Sequence, residues 1–481
     1  MTIQRPDAAA WDVDTLFIDG SWRSSTGTQR TAVYDCATEE QVGSVVASSD
    51  ADVEAAVQAA RHGLAGWSAL RPAERATFLR AWCDELRART DEMIGLVCAE
   101  VGTAVRLCGA VQVESAIAEL ETIVDLLSNM VFETEMGHSR VVYEAVGVVG
   151  AITPWNYPLF QATGKIGAAL AAGCTVVHKP SSLAPLSLVV FAQAAERAGL
   201  PPGVYNLITG AGRSIDEALA RHPGVAMISF TGSTLAGVHV YELAAHTIKR
   251  VTLELGGKSA SILLDDASVE AAVRTTVNRA FLNSGQTCDA WTRLLVPRQM
   301  LDQVLDIAVV GAERLTVGDP FDERTRIGPL VSEEQAERVR QYIDGAVSAG
   351  ARVATGGSAR PPAFERGHYV SPTVLRDVTP DMTAAREEIF GPVLVVMTYE
   401  NEDDAAIVAD ATDYGLSSAV WSADKGRAVA FARRLHSGQV VINGGGFDPL
   451  APFGGVKMSG IGRELGAVGI QGFLEPKALV L

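Results

Sequence analysis

The chain has 481 residues, of which 48% are hydrophobic and 20% charged, and its 40 Lys and Arg against 57 Asp and Glu give a net charge of −17. Such a balance supports a buried core, excludes disorder, collagen and coiled coil, and fits about three domains at roughly 150 residues each. No basic block supplies the clustered positive field that nucleic acids require, so no nucleic-acid partner is expected.

Six cysteines stand at 36, 83, 98, 108, 174 and 288. They form no C-x-x-C pair and no Cys/His group with zinc-ligand spacing, so no metal is expected. The opening MTIQRPDAAAWDVD has no basic segment followed by an apolar one. Apolar stretches such as 166–178 are shorter than the roughly 20 residues that span a bilayer. The expectation is a cytoplasmic protein with free thiols and no membrane partner.

In chain order, 52–128 reads as helical. Asp52 can cap a segment carrying Val53, Ala56, Val57 and Ala60, and Pro72 opens another with Leu79, Trp82 and Leu86 at helical spacing. From 141 the pattern changes: Val- and Ile-rich runs at 141–152, 174–178, 204–208 and 225–230 alternate with helical stretches at 159–172, 185–199, 213–221 and 234–245. The first run predicts a strand at 141–149. A second alternation extends from 259 to 442, through helical 268–282, 300–315, 333–350, 402–411 and 424–435, and 356–367 reads as a surface loop. Continuous apolar strands separated by helices indicate parallel sheets covered on both faces, here in two α/β lobes. Neither G-x-G-x-x-G nor a complete phosphate loop occurs, because Gly257-Lys258-Ser259 is preceded by Thr252 where a glycine would stand.

Three short segments carry chemistry. Phe281-Leu282-Asn283-Ser284-Gly285-Gln286-Thr287-Cys288 sets a thiol after glycine and small polar residues, where backbone can approach a ligand. Leu253-Glu254-Leu255-Gly256-Gly257-Lys258 breaks an apolar strand with a carboxylate just before two glycines, a place where burial raises a pKa. Pro154-Trp155-Asn156-Tyr157-Pro158 brackets an amide between prolines, a rigid loop able to aim it. Taken singly, each has a plain structural explanation: a small buried hydrophobe, a solvated strand-end charge, an Asx turn.

Read together, the three resemble the aldehyde dehydrogenase superfamily, from Phe17-Ile18-Asp19-Gly20-Ser21-Trp22 to the end of the chain. Further matches, in family order, are Lys179-Pro180, Phe230-Thr231-Gly232-Ser233, Glu388-Ile389-Phe390-Gly391-Pro392, Pro452-Phe453-Gly454-Gly455 and Lys457-Met458-Ser459-Gly460. The resemblance implies that Cys288 is the nucleophile, Asn156 the oxyanion-hole amide and Glu254 the general base that activates water. It implies NAD or NADP as cofactor. Lys179 would hold the adenosine ribose, Glu388 the nicotinamide ribose and Phe390 the nicotinamide face. Gly232-Ser233-Thr234-x-x-Gly237 at a helix start would replace the usual glycine fingerprint under the pyrophosphate. Trp155 and Lys165 fall at positions near the site.

Two departures from the family pattern bear on specificity. Ser182 stands where many NAD-preferring members carry Glu, so both cofactors are expected to work. Gly164 stands where a bulky aromatic is common, which predicts a wider tunnel. Tyr157, Trp421, Phe447 and Phe453 match tunnel-lining positions, and an aromatic wall suits an apolar, aromatic or quaternary ammonium aldehyde. The implied fold is α/β, with two Rossmann-like lobes and a small oligomerisation element. Its parts would be an NAD(P)-binding domain at 1–126 and 146–256, a catalytic domain at 257–453, and an oligomerisation element at 127–145 and 466–481. The apolar tail Phe473–Leu481 and the strand at 141–149 suit a homodimer or homotetramer. An acyl-CoA-forming member would have replaced Glu254. A scaffold protein would have lost Cys288, Glu254 or Asn156, and a cysteine hydrolase would place a His near the thiol.

Overall fold

The computed structural model describes residues 3–7 and 10–481, so Met1, Thr2, Ala8 and Ala9 of the expected cofactor lobe lie outside the described residues. An eight-stranded sheet has the order Gly460–Ile461, Arg250–Glu254, Met227–Thr231, Val148–Thr153, Thr175–Pro180, Tyr205–Leu207, Thr15–Ile18 and Ser21–Ser24. The five strands from Arg250–Glu254 to Tyr205–Leu207 are parallel. Such strands are covered on both faces and read as unbroken apolar runs, and Val148–Thr153 is buried at every position. Helices Pro72–Arg87, Thr90–Val101, Ser115–Leu127 and Leu186–Arg197 pack one face. Asp50–Ser68, Ser214–Arg221 and Thr234–Ala245 pack the other.

From Val148–Thr153 the chain steps outward to Thr175–Pro180 and Tyr205–Leu207, then crosses back to Met227–Thr231 on the opposite side. Neighbouring crossovers therefore diverge between Val148–Thr153 and Met227–Thr231. That divergence opens a crevice at the strand carboxyl ends, where open α/β sheets bind ligands.

The second sheet has the order Arg352–Thr355, Thr373–Arg376, Val393–Tyr399, Arg293–Pro297, Ala260–Leu263, Ser417–Trp421 and Gln439–Ile442. All pairs are parallel except the first. Val269–Ala280 and Leu301–Glu313 cover one face, and Glu333–Ser348, Glu402–Asp410 and Lys425–Ala432 the other. After this lobe the chain returns to the first sheet, where Gly460–Ile461 pairs with Leu253 and Glu254.

Two local expectations are corrected. The predicted strand 141–149 is two strands in two sheets: Ser139–Ala145 ends before Gly147, whose φ of 128° turns the chain, and Val148–Thr153 begins after it. Ser49, not Asp52, caps the helix Asp50–Ser68; Asp52 lies three residues on and completes a reciprocal capping box. Ser139–Ala145 pairs along its whole length with the C-terminal Leu474–Val480, and Glu133–Met136 adds a third strand. The expected oligomerisation segments are thus joined within one chain. Among the described residues no helix is long and apolar enough to cross a membrane.

Five of the six cysteines are buried, and only Cys288 is partly exposed. Burial pushes the Cys83 and Cys174 thiols up to about 12 and about 11. Cys288 is also raised, by burial and then by the charges of Asp289, Glu254 and Glu388. A raised thiol pKa means the thiolate accumulates only as pH climbs past its ordinary value of about 9. Iodoacetamide on the native protein should therefore alkylate one thiol per chain, at Cys288, at a rate that grows steeply from pH 7 to 9. Peptide mapping that finds another cysteine modified first would refute this placement.

Candidate active site

The first sheet supplies its site residues from strand carboxyl ends. Val148–Thr153 runs into the loop that bears Asn156, and Pro158 stops that loop by opening a helix at its first position. Lys179 is the last residue but one of its strand, before Pro180. Met227–Thr231 leads through Gly232 to Ser233, whose hydroxyl accepts from the Ala236 N–H and caps the helix Thr234–Ala245. A Cβ at Gly237 would collide with Leu255, so the glycine lets this helix settle against the strand end. Glu254 is the last residue of Arg250–Glu254, and its carbonyl accepts from the Gly232 N–H at 3.1 Å.

The second sheet contributes residues that precede its strands. Cys288 comes before Arg293–Pro297, and Glu388 before Val393–Tyr399. Gly256 and Gly257 lie between the two sheets, directly after Glu254. A Cβ on Gly257 would stand 2.5 Å from the Cys288 carbonyl, and one on Gly256 2.5 Å from Glu388 Oε2. The Gly257 N–H donates to Glu388 Oε1 at 2.9 Å. Arg293 braces the same segment from below, donating from Nε to the Lys258 carbonyl at 2.8 Å.

The loop before Cys288 is held by buried polar contacts that sequence reasoning passed over. Asn283, Ser284 and Gly285 have φ of 52°, 57° and 75°, three successive left-handed residues. A Cβ on Gly285 would strike the Gly391 carbonyl. Thr103 donates to Asn283 Oδ1 at 2.6 Å, and Gln112 and Asn283 donate to the Asn156 carbonyl at 2.9 and 3.0 Å. Ser284 donates to the Gly328 carbonyl, and Gln286 Oε1 accepts from the Val331 N–H. The readable signal was Gln112, a polar residue inside an apolar helical run. This network fixes the two chemical loops to each other. Asn156 spends one amide hydrogen on the Gln286 carbonyl at 3.1 Å, and an amide has two. The Tyr157 hydroxyl lies 2.9 Å from Thr287 Oγ1, beside the thiol.

Glu254 is 4% exposed, and neither carboxylate oxygen has a protein hydrogen-bond partner among the described residues. Burial pushes its pKa well above the carboxylate range and Glu464 pushes it further, while Lys165 and Arg463 oppose. A Cβ at Gly454 would approach Glu254 Oε1 to 2.5 Å, so that glycine keeps the carboxylate uncovered. Lys165 pairs with Glu464 beside it. Glu119 is also buried and unpartnered among the described residues, and is raised to about 8 by burial and Glu464. Lys258 is buried and lowered to about 7 by burial and Arg293. Glu388 is raised to about 7 by burial.

The aromatic residues divide. Phe453, Leu416 and Leu465 form a small apolar cluster against which Phe160 and Cys288 pack. Phe447 stands edge-on to Phe160 at 5.8 Å and is 48% exposed, at the rim. Phe160 was missed, although it follows Asn156 by one helical turn. Trp421 does not join this wall. It is buried in the core of the second lobe, where its indole N–H donates to Ser261 Oγ at 2.9 Å and its ring meets Trp291. A strand side chain points to one face of its sheet, and here that face is the core. The space beside Gly164 is entered by Leu465 and Glu464, at 3.7 and 3.9 Å from where a Cβ would sit.

Trp155 meets Phe390 edge to face at 5.5 Å. Lys179 pairs with Asp216 in the helix Ser214–Arg221 at 3.1 Å, a partner the sequence did not suggest, and Ser182 lies in the turn after Lys179. A capped helix start, a lysine near the end of the strand two places along the sheet and a carboxylate across the cleft fit a dinucleotide with its pyrophosphate at the helix N-terminus.

The aldehyde dehydrogenase family matches residues 22–479. A 3-succinoylsemialdehyde-pyridine dehydrogenase from a Pseudomonas species is 43% identical over 470 residues, 98% of each chain. A cysteine-to-alanine variant of aldehyde dehydrogenase C from Pseudomonas syringae, solved with NAD+ and octanal, has 43% identity and a TM-score of 0.97 over 100% of this chain and 99% of that one. A Mycobacterium tuberculosis aldehyde dehydrogenase solved with NAD+ has 38% identity and a TM-score of 0.96 over 98% of both chains. The chain belongs to the aldehyde dehydrogenase family and is an NAD(P)-dependent oxidoreductase acting on the aldehyde group.

Proposed function

We propose that the protein oxidises an aldehyde to the free carboxylic acid through a covalent intermediate on Cys288 that Glu254 helps water to release. The observation that carries this reading is the buried, unpartnered Glu254 carboxylate beside the Cys288 thiol, whose charge acts on that thiol. A carboxylate with a raised pKa is a better proton acceptor near neutral pH than a solvated one. An acyl-CoA-forming enzyme has no use for such a base.

The Cys288 sulfur adds to the carbonyl carbon, and the oxygen gains negative charge. The free Asn156 amide hydrogen and the Cys288 N–H are the donors for that charge, and the network through Gln112 and Asn283 holds them ready, so no reorganisation is needed as the charge develops. A bound nicotinamide supplies the hydride acceptor; Lys179, Gly232, Ser233, Trp155, Glu388 and Phe390 are the residues that would hold the dinucleotide. Cys288 then carries the acyl group as a thioester. Glu254 takes a proton from water, the water oxygen attacks the thioester carbon, and the thiolate leaves with the proton returned to it. Phe160, Phe447, Phe453 and Leu465 make the entrance apolar, which favours apolar or aromatic aldehydes, in keeping with the octanal bound to the Pseudomonas syringae enzyme. Tyr157 completes the lining beside the thiol, and the space that Gly164 leaves is taken by Leu465 and Glu464.

The eight-stranded sheet, the seven-stranded sheet and the sheet of Glu133–Met136, Ser139–Ala145 and Leu474–Val480 support a division into a cofactor lobe, a catalytic lobe and a pairing element. The edge strand Leu474–Val480 leaves Leu479, Val480 and Leu481 exposed, Val480 at 82%. A second copy adding along that edge would cover them, which supports a homo-oligomer.

Three outcomes test the proposal. Cys288→Ser should lower aldehyde-dependent NADH formation by at least about a thousandfold, because a serine hydroxyl is almost never ionised; near-normal turnover would refute the nucleophile. Glu254→Gln should give one burst of reduced cofactor per site, then turnover slowed about 10²–10⁴-fold. Mass spectrometry should find an acyl adduct on Cys288, and unchanged steady-state turnover would reject the base. Light scattering at micromolar concentration should show a dimer or tetramer, and a stable active monomer would contradict the pairing edge.

A further inference from the structure

Lys179 is 5% exposed, and the carboxylate paired with it comes from another element: Asp216, in the first turn of Ser214–Arg221. Ile215 and Leu219 anchor that helix in the core, so Asp216 is held where it is and not swung in from solvent. The turn after Lys179 offers only the uncharged Ser182. The other charged or titratable groups nearby do not change the balance. His178 is buried, held by Thr153 and Tyr205, and kept neutral by burial and by Lys179. Glu217 faces away, to His239 at 2.9 Å. Arg213 precedes the helix and is exposed to solvent.

We propose that Asp216 reads the 2′ position of the adenosine ribose, accepting a hydrogen bond from a 2′-hydroxyl and repelling a 2′-phosphate, so that the enzyme selects NAD over NADP. This rests on the cofactor placement above, with the adenosine ribose at Lys179. It also reverses the expectation from Ser182 alone. There, the lysine's charge was free to attract a phosphate and no acid opposed it. In the folded chain that charge is already matched by Asp216, so a phosphate would meet a carboxylate at the lysine, with Arg213 standing out in solvent. Specificity of this kind rests on a repulsive element, and the chain has moved that element from the turn after the lysine to a helix packed beside it.

Binding of ADP-ribose and of 2′-phospho-ADP-ribose, measured by titration calorimetry, tests this without turnover. The wild type should prefer ADP-ribose by at least about tenfold, as expected for a like-charge contact at a buried site. Asp216→Asn keeps the shape and removes the charge, and should shrink that preference to within about threefold. Adding Ser182→Glu to Asp216→Asn should restore the preference from the other side of the ribose. Arg213→Ala should leave the wild-type ratio unchanged. Equal binding of the two ligands to the wild type, an unchanged ratio in Asp216→Asn, or a ratio widened by Arg213→Ala would overturn the role of Asp216 while leaving the cofactor site in place. Failure of the wild type to bind ADP-ribose at all would overturn that site and this inference together.

Discussion

The five residues from Leu255 to Ser259 join the carboxyl end of a strand in one sheet to the amino end of a strand in the other, and the site depends on how closely backbone packs there. Gly256 and Gly257 have no side chains, so the Glu388 carboxylate and the Cys288 backbone can close against the bridge. The Gly257 N–H takes up one of the Glu388 oxygens. Arg293, tied to the Lys258, Val408 and Ala409 carbonyls, fixes the bridge to the second lobe. Any side chain at these glycines would push the lobes apart, and Cys288, Glu254 and the dinucleotide crevice would no longer meet.

Because the lobes meet so tightly, acidic groups accumulate away from water. Glu254, Glu464, Glu388 and Asp289 surround the thiol or one another, with Lys165, Arg463 and Lys258 as partial compensation. Burial raises the pKa of Glu254, Asp289 and Glu388, and the charge of each of these three in turn raises Cys288. Burial and mutual repulsion therefore disfavour ionising the Cys288 thiol and the Glu254 carboxyl at the same time. The half-buried setting of Asp216 strengthens a repulsive contact there in the same way, because solvent screens it less than on an open surface.

The α/β alternation, the parallel sheets and the residues at their loop starts were legible because parallel strands need apolar residues on both faces and helices need theirs at a period of 3.6. Cys288, Glu254 and Asn156 were legible for a related reason. Each breaks a local rule, a thiol among glycines, a charge ending an apolar strand, an amide between prolines, with no local gain to explain it. Trp421 shows the limit. An aromatic beside apolar residues has the same pattern whether it faces a tunnel or a neighbouring strand, and only the pairing of Ser417–Trp421 with Ala260–Leu263 placed it in the core.

The sequence by itself determined the two-lobed architecture, the family and the candidate site residues, because these are written in periodicity and in short contiguous motifs. Tertiary structure decided what depends on contacts between distant segments. It split the run at 141–149 between two sheets at Gly147, since a glycine that turns a strand looks no different in sequence from one that packs within it. It built the polar scaffold of Thr103, Gln112 and Asn283 under the thiol loop, and it brought Asp216 to Lys179. Side chains far apart in the chain carry no mark of their future partner; the packing of a helix on a sheet sets which charge faces which, and with it the ligand the crevice accepts.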